Sequence, residues 1–280
     1  MLSAMGLPVL CWILSVYHRP RRNSRLGCPA ERSSAEVNSS VQGTPTQTRI
    51  AKEVAEQGFS IISGLFDPTE LANILAGVEH SAETPTQAGV RHALGFPEIY
   101  ALAQDKRLLQ LASDIEGDEP IPYRATLFDK SPAANWLVTW HQDKVLPLCS
   151  RHDQPGWGPW SHKQGVLYAQ APAAVLSNIL ALRIHFDDSE ETNGPLRVLP
   201  STHKLGVLSD ERINALAHSM KDITCCVETG GVLAMRPLIV HASSKTHLRL
   251  RRRVLHIEYS TSLKTEDGLE LRSEWHTRRT

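Results

Sequence analysis

The stretch Trp140-His141-Gln142-Asp143 closes an alternating run that begins at Trp136 and is typical of a β-strand. His141 and Asp143 are two positions apart, and side chains two apart in a strand project from the same face. An imidazole and a carboxylate would therefore converge on one point. Because this pattern often arises by chance, its interpretation as a metal site depends on the rest of the chain.

A second histidine ends another apolar strand. His241 closes the run Pro237-Leu238-Ile239-Val240-His241, which follows the turn at residues 228–231. Two histidines and one carboxylate bind iron so that three adjacent coordination positions stay open, whereas zinc is more often held in a closed tetrahedron. We therefore predict that His141, Asp143 and His241 hold a ferrous ion.

Arg252 lies eleven residues beyond His241, where a further strand is predicted over 253–260. A guanidinium at the inner end of a pocket binds a carboxylate through two parallel hydrogen bonds. Arg253 would point the opposite way in a regular strand. Arg252 is thus the candidate anion clamp, and several of the neighbouring arginines are expected to be solvated surface charges.

The remaining elements predict helices followed by a strand-rich region. Asp67-Pro68-Thr69-Glu70 supplies an N-cap, a first-turn proline and a capping-box glutamate, which predicts the start of a helix. Other helices are predicted over 49–57 and between 97 and 116, and strands over 59–66, 123–128, 136–142, 179–186, 196–199, 223–227, 232–235, 238–241 and 253–260. This order favours a mainly β domain, a sandwich or barrel, with flanking helices. The stretch 151–165, dense in Gly, Pro, Trp and His, is interpreted as a long loop over its mouth.

The length of 280 residues suits one folded domain. Residues 18–48 are rich in Ser, Arg, Pro, Asn and Gln and lack hydrophobic periodicity, so residues 1–48 are predicted to be a disordered or weakly ordered extension and 49–280 the folded domain. The apolar stretch 7–17 is only about half the roughly 20 residues that span a bilayer, which argues against stable membrane insertion. The composition carries no signal for the oligomeric state.

Charge and cysteine content narrow the class of protein further. Thirty basic residues balance thirty acidic ones, so no net charge attracts nucleic acid or an anionic membrane, and the expected partner is a small molecule. The five cysteines are an odd number without the paired short spacings of a zinc site or a disulfide framework; they are Cys11, Cys28, Cys149, Cys225 and Cys226. Interpreted as reduced thiols, they predict a cytoplasmic protein.

Four motifs in order resemble the phytanoyl-CoA dioxygenase-like family of Fe(II)/2-oxoglutarate oxygenases. They are residues 140–143, the stretch 186–203 with Asn193-Gly194-Pro195 inside it, the segment Val240-His241-Ala242-Ser243, and the arginine that follows. The resemblance implies a double-stranded β-helix, the cupin-like jelly roll, that uses Fe(II), 2-oxoglutarate and O2 at its open end. It also implies that His141, Asp143 and His241 are the catalytic iron ligands and that four residues contact 2-oxoglutarate, namely Arg252, Ser243, Gln142 and Thr126.

The carboxylate of Asp143 bears on the type of reaction, because iron halogenases similar to this family replace it by a small residue that makes room for chloride. Its presence favours hydroxylation of an unidentified small organic molecule, with release of succinate and CO2. Desaturation, epoxidation and ring closure use the same triad and stay open, and no CoA-specific basic cluster stands out in the sequence.

Two other classes of protein stay open as well. One is a jelly roll that binds metal without oxygenase turnover, either a cupin-like isomerase or a sensor of 2-oxoglutarate. The other is a scaffold without metal, against which the intact triad argues.

Overall fold

The computed structural model describes residues 44–81, 89–131, 134–246 and 251–275. The apolar stretch 7–17 and residues 1–43 of the predicted extension lie outside these ranges. The first helix begins at Pro45, four residues before the predicted start of the folded domain at residue 49. Thr44 and Gln47 explain the earlier start, because each side chain accepts a hydrogen bond from the other's backbone N–H in a capping box.

The predicted helices and strands appear in order, with further elements that the sequence did not predict. The strand predicted over 238–241 instead spans Val240–Ser243, because residues 237–239 form a turn. The helices are α1 (Pro45–Gln57), α2 (Pro68–Ser81), α3 (Pro97–Ala103), α4 (Lys106–Glu116), α5 (Ala173–Leu176) and α6 (Asp210–Ser219). The strands are β1 (Phe59–Ile62), β2 (Gly89–Arg91), β3 (Ile121–Lys130), β4 (Val138–His141), β5 (Val145–Leu148), β6 (Trp160–Lys163), β7 (Val166–Gln170), β8 (Ile179–His185), β9 (Leu196–Leu199), β10 (Ile223–Cys225), β11 (Val232–Met235), β12 (Val240–Ser243) and β13 (Arg252–Ser260).

The strands form three antiparallel sheets. Their orders are β1-β11-β8-β13-β3-β2 in the major sheet, β10-β9-β12-β4 in the minor sheet, and β5-β7-β6 in a small third sheet. Apolar residues of the major and minor sheets, such as Met235 and Val198, share one buried cluster, so the two sheets pack face to face. The predicted mainly β jelly roll with flanking helices is confirmed.

Because side chains alternate along the central strands, one face of the major sheet packs against the helices and the other is the inner face of the jelly roll. In β8, Leu180, Leu182 and Ile184 pack in the same core as the helices. Arg183 and His185 occupy the alternate positions, and both are buried. The same alternation in β3 and β13 places polar side chains on the inner face, where the site lies.

The sequence analysis predicted that the whole stretch 151–165 is a loop, and this prediction is wrong for its last part. Its end forms β6, which pairs with β7 through residues such as Trp160 and Ala169. The dense Gly and Pro content concealed this hairpin, since only four residues of β6 alternate before the turn at Gln164-Gly165. Among the described residues no helix is long and apolar enough to cross a membrane.

Two glycines with similar backbone angles allow a matched test of how the turn before β9 is built. Gly194 has φ +73°, and a Cβ there would lie 2.3 Å from the carbonyl oxygen of Ser244; Gly117 has φ +79° with no atom within 4 Å of such a Cβ. We expect Gly117→Ala to cost about 1 kcal/mol, the penalty for a left-handed alanine alone. Gly194→Ala should cost about 3 kcal/mol, because the backbone must also move. Urea unfolding monitored by circular dichroism measures both, and equal losses would contradict the close approach.

Candidate active site

His141 and His241 face each other across two paired strands. β12 pairs antiparallel with β4, and the two histidines are direct partners in that register. Side chains directly opposite each other in an antiparallel pair are near enough to touch, and the two ring centroids are 4.2 Å apart. Strand register therefore brings the predicted pair together.

Backbone carbonyl groups fix the orientation of both rings. Nδ1 of His141 lies 2.8 Å from the carbonyl oxygen of Thr139, and Nδ1 of His241 lies 2.9 Å from that of Ile239. When Nδ1–H donates to a carbonyl, Nε2 keeps its lone pair for a metal. Burial lowers the pKa of His241 to about 4, so this ring is neutral at pH 7.

Asp143 completes the cluster from outside the strand. β4 ends at His141, so the expectation that one regular strand carries both side chains is wrong. Even so, Oδ1 of Asp143 lies 3.6 Å from Nε2 of His141, and Oδ2 lies 3.6 Å from Nε2 of His241. One ligand atom from each of the three residues lies within 4.8 Å of those of the other two. Burial opposes ionisation of Asp143, but attraction to the two histidines outweighs it and holds the pKa well below its usual range.

Gln142, predicted to contact 2-oxoglutarate, points away from the cavity. Its amide donates to the carbonyl groups of Gly206 and Leu238 at 2.8 and 2.7 Å, and its Oε1 accepts from the N–H of Leu208 at 2.8 Å. These bonds use both amide donors and one acceptor site of a buried side chain. Gln142 thus fixes the short segment between two ligands instead of touching the cosubstrate pocket.

The triad opens into a cavity of about 140 Å³ on the inner face of the major sheet. Alternate residues of β3 and β13 form much of its wall. The polar and aromatic side chains contributed by the major sheet are Arg124, Thr126, Phe128, Lys130, Arg183, Arg252, His256 and Glu258. Thr126, the predicted 2-oxoglutarate contact, is therefore one of the residues that line the cavity.

Arg252 and Arg253 point to opposite sides, as predicted. Arg252 is 6% exposed and lines the cavity. Arg253 is held outside it by Asp187, which accepts from Nε and Nη2 at 2.7 Å each. Of the two arginines, only Arg252 faces the His141–Asp143–His241 triad.

Lys130, which the sequence analysis did not select, lies beside Arg252. The two residues are partners in the β13–β3 register, and Lys130 is 1% exposed. Its ammonium donates to the Ser243 hydroxyl at 2.9 Å and to the Ser244 carbonyl at 2.6 Å. The Ser243 hydroxyl, predicted to contact 2-oxoglutarate, lines the cavity and in turn donates to the carbonyl of Gly194 at 2.9 Å.

Period-two alternation was the signal that could have revealed Lys130. Arg124, Thr126, Phe128 and Lys130 occupy every second position of one strand. The predicted strand ended at Phe128, which removed Lys130 from the inner face. Arg183 is a further cavity residue, and its Nη1 lies 3.0 Å from Nδ1 of His256.

The donors around the cavity suit both a metal and an anionic cosubstrate. Two imidazole nitrogens and one carboxylate oxygen form the ligand set preferred by non-haem Fe(II). Nε of Arg183 and Nε of Arg252 are buried without a hydrogen-bond partner among the described residues. A buried unpaired donor costs on the order of 1–3 kcal/mol, and a bound carboxylate supplies the acceptors that these groups lack.

Comparison with known proteins agrees with this site. Residues 54–253 match the family described as phytanoyl-CoA dioxygenase (PhyH). A sequence search among curated proteins finds no significant match.

Several solved structures share the fold. EctD from S. alaskensis in its apo form is 20% identical, with a TM-score of 0.59, and the alignment covers 85% of this chain and 86% of that one. The epimerase SnoN from nogalamycin biosynthesis, solved with Fe3+, alpha ketoglutarate and nogalamycin RO, is 17% identical, with a TM-score of 0.58 and coverage of 82% and 87%. The carbocyclase SnoK from the same biosynthesis is 15% identical, with a TM-score of 0.59 and coverage of 83% and 90%.

The fold and the His-Asp-His cluster define a non-haem iron oxygenase of the jelly-roll class. More particularly, the chain belongs to the phytanoyl-CoA dioxygenase family, whose match covers well over half its length. The predicted family and enzyme class are confirmed. The predicted cofactors, Fe(II) and 2-oxoglutarate, suit the His-Asp-His cluster, and the SnoN structure holds Fe3+ and alpha ketoglutarate.

Proposed function

We propose that His141, Asp143 and His241 bind Fe(II), and that the enzyme hydroxylates a small organic molecule with 2-oxoglutarate as cosubstrate. The observation that carries this proposal is the convergence of the three ligand atoms within 4.8 Å of one another. Both imidazole rings are already oriented by carbonyl groups, so metal binding requires little rearrangement.

Bound Fe(II) and 2-oxoglutarate supply the oxidising chemistry, in which O2 is consumed and succinate, CO2 and an oxidised substrate are released. The protein's contribution is to hold the metal in a fixed geometry, orient the cosubstrate and exclude water. Asp143 supports hydroxylation over halogenation, because its carboxylate fills the position that a halide would need.

Arg252 and Lys130 are the proposed anchors of the far carboxylate of 2-oxoglutarate. Arg252 offers a planar fork with an unpaired buried Nε. Lys130 offers a third ammonium proton beyond the two that Ser243 and Ser244 accept. Thr126 lines the same cavity and is retained as a cosubstrate contact.

Lys130 predicts a pH dependence of cosubstrate affinity. Burial lowers the pKa of Lys130 to about 8, and repulsion from Arg252 and Arg183 contributes to the shift. The other groups around the ammonium are uncharged; they are the Ser243 hydroxyl, the Ser244 carbonyl and the Trp136 ring at 5.3 Å. The ammonium form binds the carboxylate, so affinity is complete below pH 8 and falls as the pH rises through that value. Between pH 7.5 and 9 we expect a loss of about eightfold.

Calorimetry of 2-oxoglutarate binding to Zn(II)-loaded protein measures this dependence. Lys130→Met should bind more weakly at pH 7.5 and lose the part of the pH dependence that belongs to Lys130. Identical pH profiles in the parent and the variant would exclude Lys130 from the anchor.

An anaerobic titration tests the proposed function directly. Fe(II) and then 2-oxoglutarate are added to purified protein, and the weak visible charge-transfer band of the chelate is followed. The band should form in the parent and be absent in His141→Ala. A folded parent protein that binds Fe(II) and 2-oxoglutarate without producing the band would contradict chelation at this site.

A cytoplasmic location is likewise our proposal. The cysteines in the described part of the chain are free thiols, namely Cys149, Cys225 and Cys226. Free thiols are typical of a reducing compartment.

A further inference from the structure

Positive charge exceeds negative charge in the cavity next to the triad. Its wall carries four cations, which are Arg124, Lys130, Arg183 and Arg252, but only two carboxylates, Asp143 and Glu258. Fe(II) and doubly charged 2-oxoglutarate would cancel each other. Two positive charges thus stay without counter-charges in a largely buried space, where unpaired charge is costly.

Two clefts continue the cavity outward. A cleft of about 160 Å³ shares Arg124, Thr126 and Phe128 with the cavity wall. It shares Arg91 and Glu274 with a second cleft of about 400 Å³. The cavity and the two clefts thus adjoin one another through shared wall residues, and we call the two clefts together the basic cleft beyond Arg124.

Three cations surround one aromatic ring where the cavity meets the basic cleft. The guanidinium of Arg124 lies 5.7 Å from the ring centroid of Tyr168, and the ammonium of Lys163 lies 5.8 Å from it. Arg91 belongs to the same wall. A bound anion would be attracted by all three cations.

Two carboxylates offset only part of this positive charge. Glu258 already contacts Arg124 at 3.4 Å and accepts from the Tyr123 hydroxyl at 2.9 Å. Glu274 accepts from the backbone N–H of Ala125 at 3.0 Å and lies 3.1 Å from Nδ1 of His92. The side chains of Arg91 and Arg272 make no ion pair with any residue in the described ranges, and neither does that of Lys163.

We propose that the basic cleft beyond Arg124 binds a compact oxyanion of the substrate, a carboxylate or a phosphate group. This inference rests on the proposed function, since it takes the cavity beside the triad as the reaction site. Arg124 at the junction would be the inner contact, and Arg91 and Lys163 the outer ones. The target C–H bond then lies on the part of the substrate that extends from the anion towards the triad.

The overall charge of the protein makes this concentration of cations specific to the cleft. The chain carries equal numbers of basic and acidic residues. Arg91, Arg124, Lys163 and Arg272 come from four separate segments, and folding alone gathers them. A predominantly basic cleft beside a low-dielectric cavity focuses the field and attracts a negatively charged ligand.

Inorganic phosphate serves as the probe. Its binding to the full chain is followed by 31P NMR in the presence of Zn(II) and saturating 2-oxoglutarate, which occupy the proposed metal site and cosubstrate anchor. The parent is compared with Arg91→Met, Arg124→Met, Lys163→Met and two controls. The controls are Arg212→Met, an exposed cation on α6, and Arg252→Ala.

We expect saturable binding in the parent that weakens about fivefold in each of the three cleft variants, since each loses one charged contact. Both controls should stay within about twofold of the parent, the scatter that non-specific electrostatics allows. Arg91 and Lys163 are exposed, so their variants remain informative if Arg124→Met fails to fold.

Absence of saturable phosphate binding, or equal weakening in Arg212→Met, would overturn the proposal. Weakening by Arg252→Ala but by none of the cleft variants would also overturn it, because the phosphate would then lie at the cosubstrate anchor. A failed iron and 2-oxoglutarate titration combined with weakening at Arg91 and Arg124 would reject the proposed function and leave the anion site standing. The two proposals therefore fail by different results.

Discussion

Asp143→Asn is expected to lower the affinity for Fe(II) at least about hundredfold, more than the loss of a supporting contact costs a metal site. The carboxylate is the only anionic group among the three proposed ligands, and each of its oxygens faces a different histidine. Asparagine has nearly the same shape but brings no charge. The cavity wall already carries four cationic side chains, so the loss of this negative charge also increases the electrostatic repulsion of a dication.

Anaerobic competition with a coloured chelator measures the iron affinity, and succinate formation should fall at least in proportion. Asp188→Asn is the matched control, because Asp188 is a turn residue whose Oδ1 accepts from the N–H and hydroxyl of Thr229 at 2.7 and 2.8 Å. An asparagine there can make the same bonds, so iron affinity should be unchanged within about twofold. Normal iron binding by Asp143→Asn would remove Asp143 from the ligand set.

The histidine pair was predictable because its signal is local. His141 ends β4, whereas His241 is the second residue of β12, and the antiparallel ladder pairs the two directly. The divergence of Arg252 and Arg253 was predictable for the same reason, since alternation along a strand depends only on sequence spacing. Short-range sequence patterns thus identified all three proposed ligands and the candidate clamp, although Asp143 lies just outside the regular strand predicted to carry it.

Long-range packing decided how Asp143 and Gln142 are placed and why Lys130 was missed. Asp143 lies beyond the end of its strand, and the hydrogen bond from its N–H to the carbonyl of Pro237 holds it in place. The amide of Gln142 bonds to backbone groups far along the chain. Lys130 becomes part of the site only because β3 pairs with β13 at Arg252. None of these partnerships can be inferred from one segment at a time.

Arg252→Ala should weaken 2-oxoglutarate binding at least about thirtyfold while leaving metal affinity unchanged. Removal of one partner from a buried, hydrogen-bonded charge pair typically costs roughly 2–5 kcal/mol, and 2 kcal/mol corresponds to about thirtyfold. Lys130 and Arg183 remain in the variant, so some affinity should persist. Calorimetry with Zn(II)-loaded protein measures the cosubstrate, and chelator competition measures the metal.

Arg253→Ala is the matched control on the next residue of the same strand. Its guanidinium is tied to Asp187 outside the cavity, so the variant should bind 2-oxoglutarate within about twofold of the parent, although the loss of a partly buried ion pair lowers stability. If Arg253→Ala weakened 2-oxoglutarate binding more than Arg252→Ala does, Arg253 and not Arg252 would be the carboxylate anchor. Arg252 is the only one of the two arginines that faces the triad. If both variants bound metal fully and neither changed the affinity for 2-oxoglutarate, the cosubstrate would therefore bind elsewhere. That result would favour a metal-binding jelly roll without oxygenase turnover.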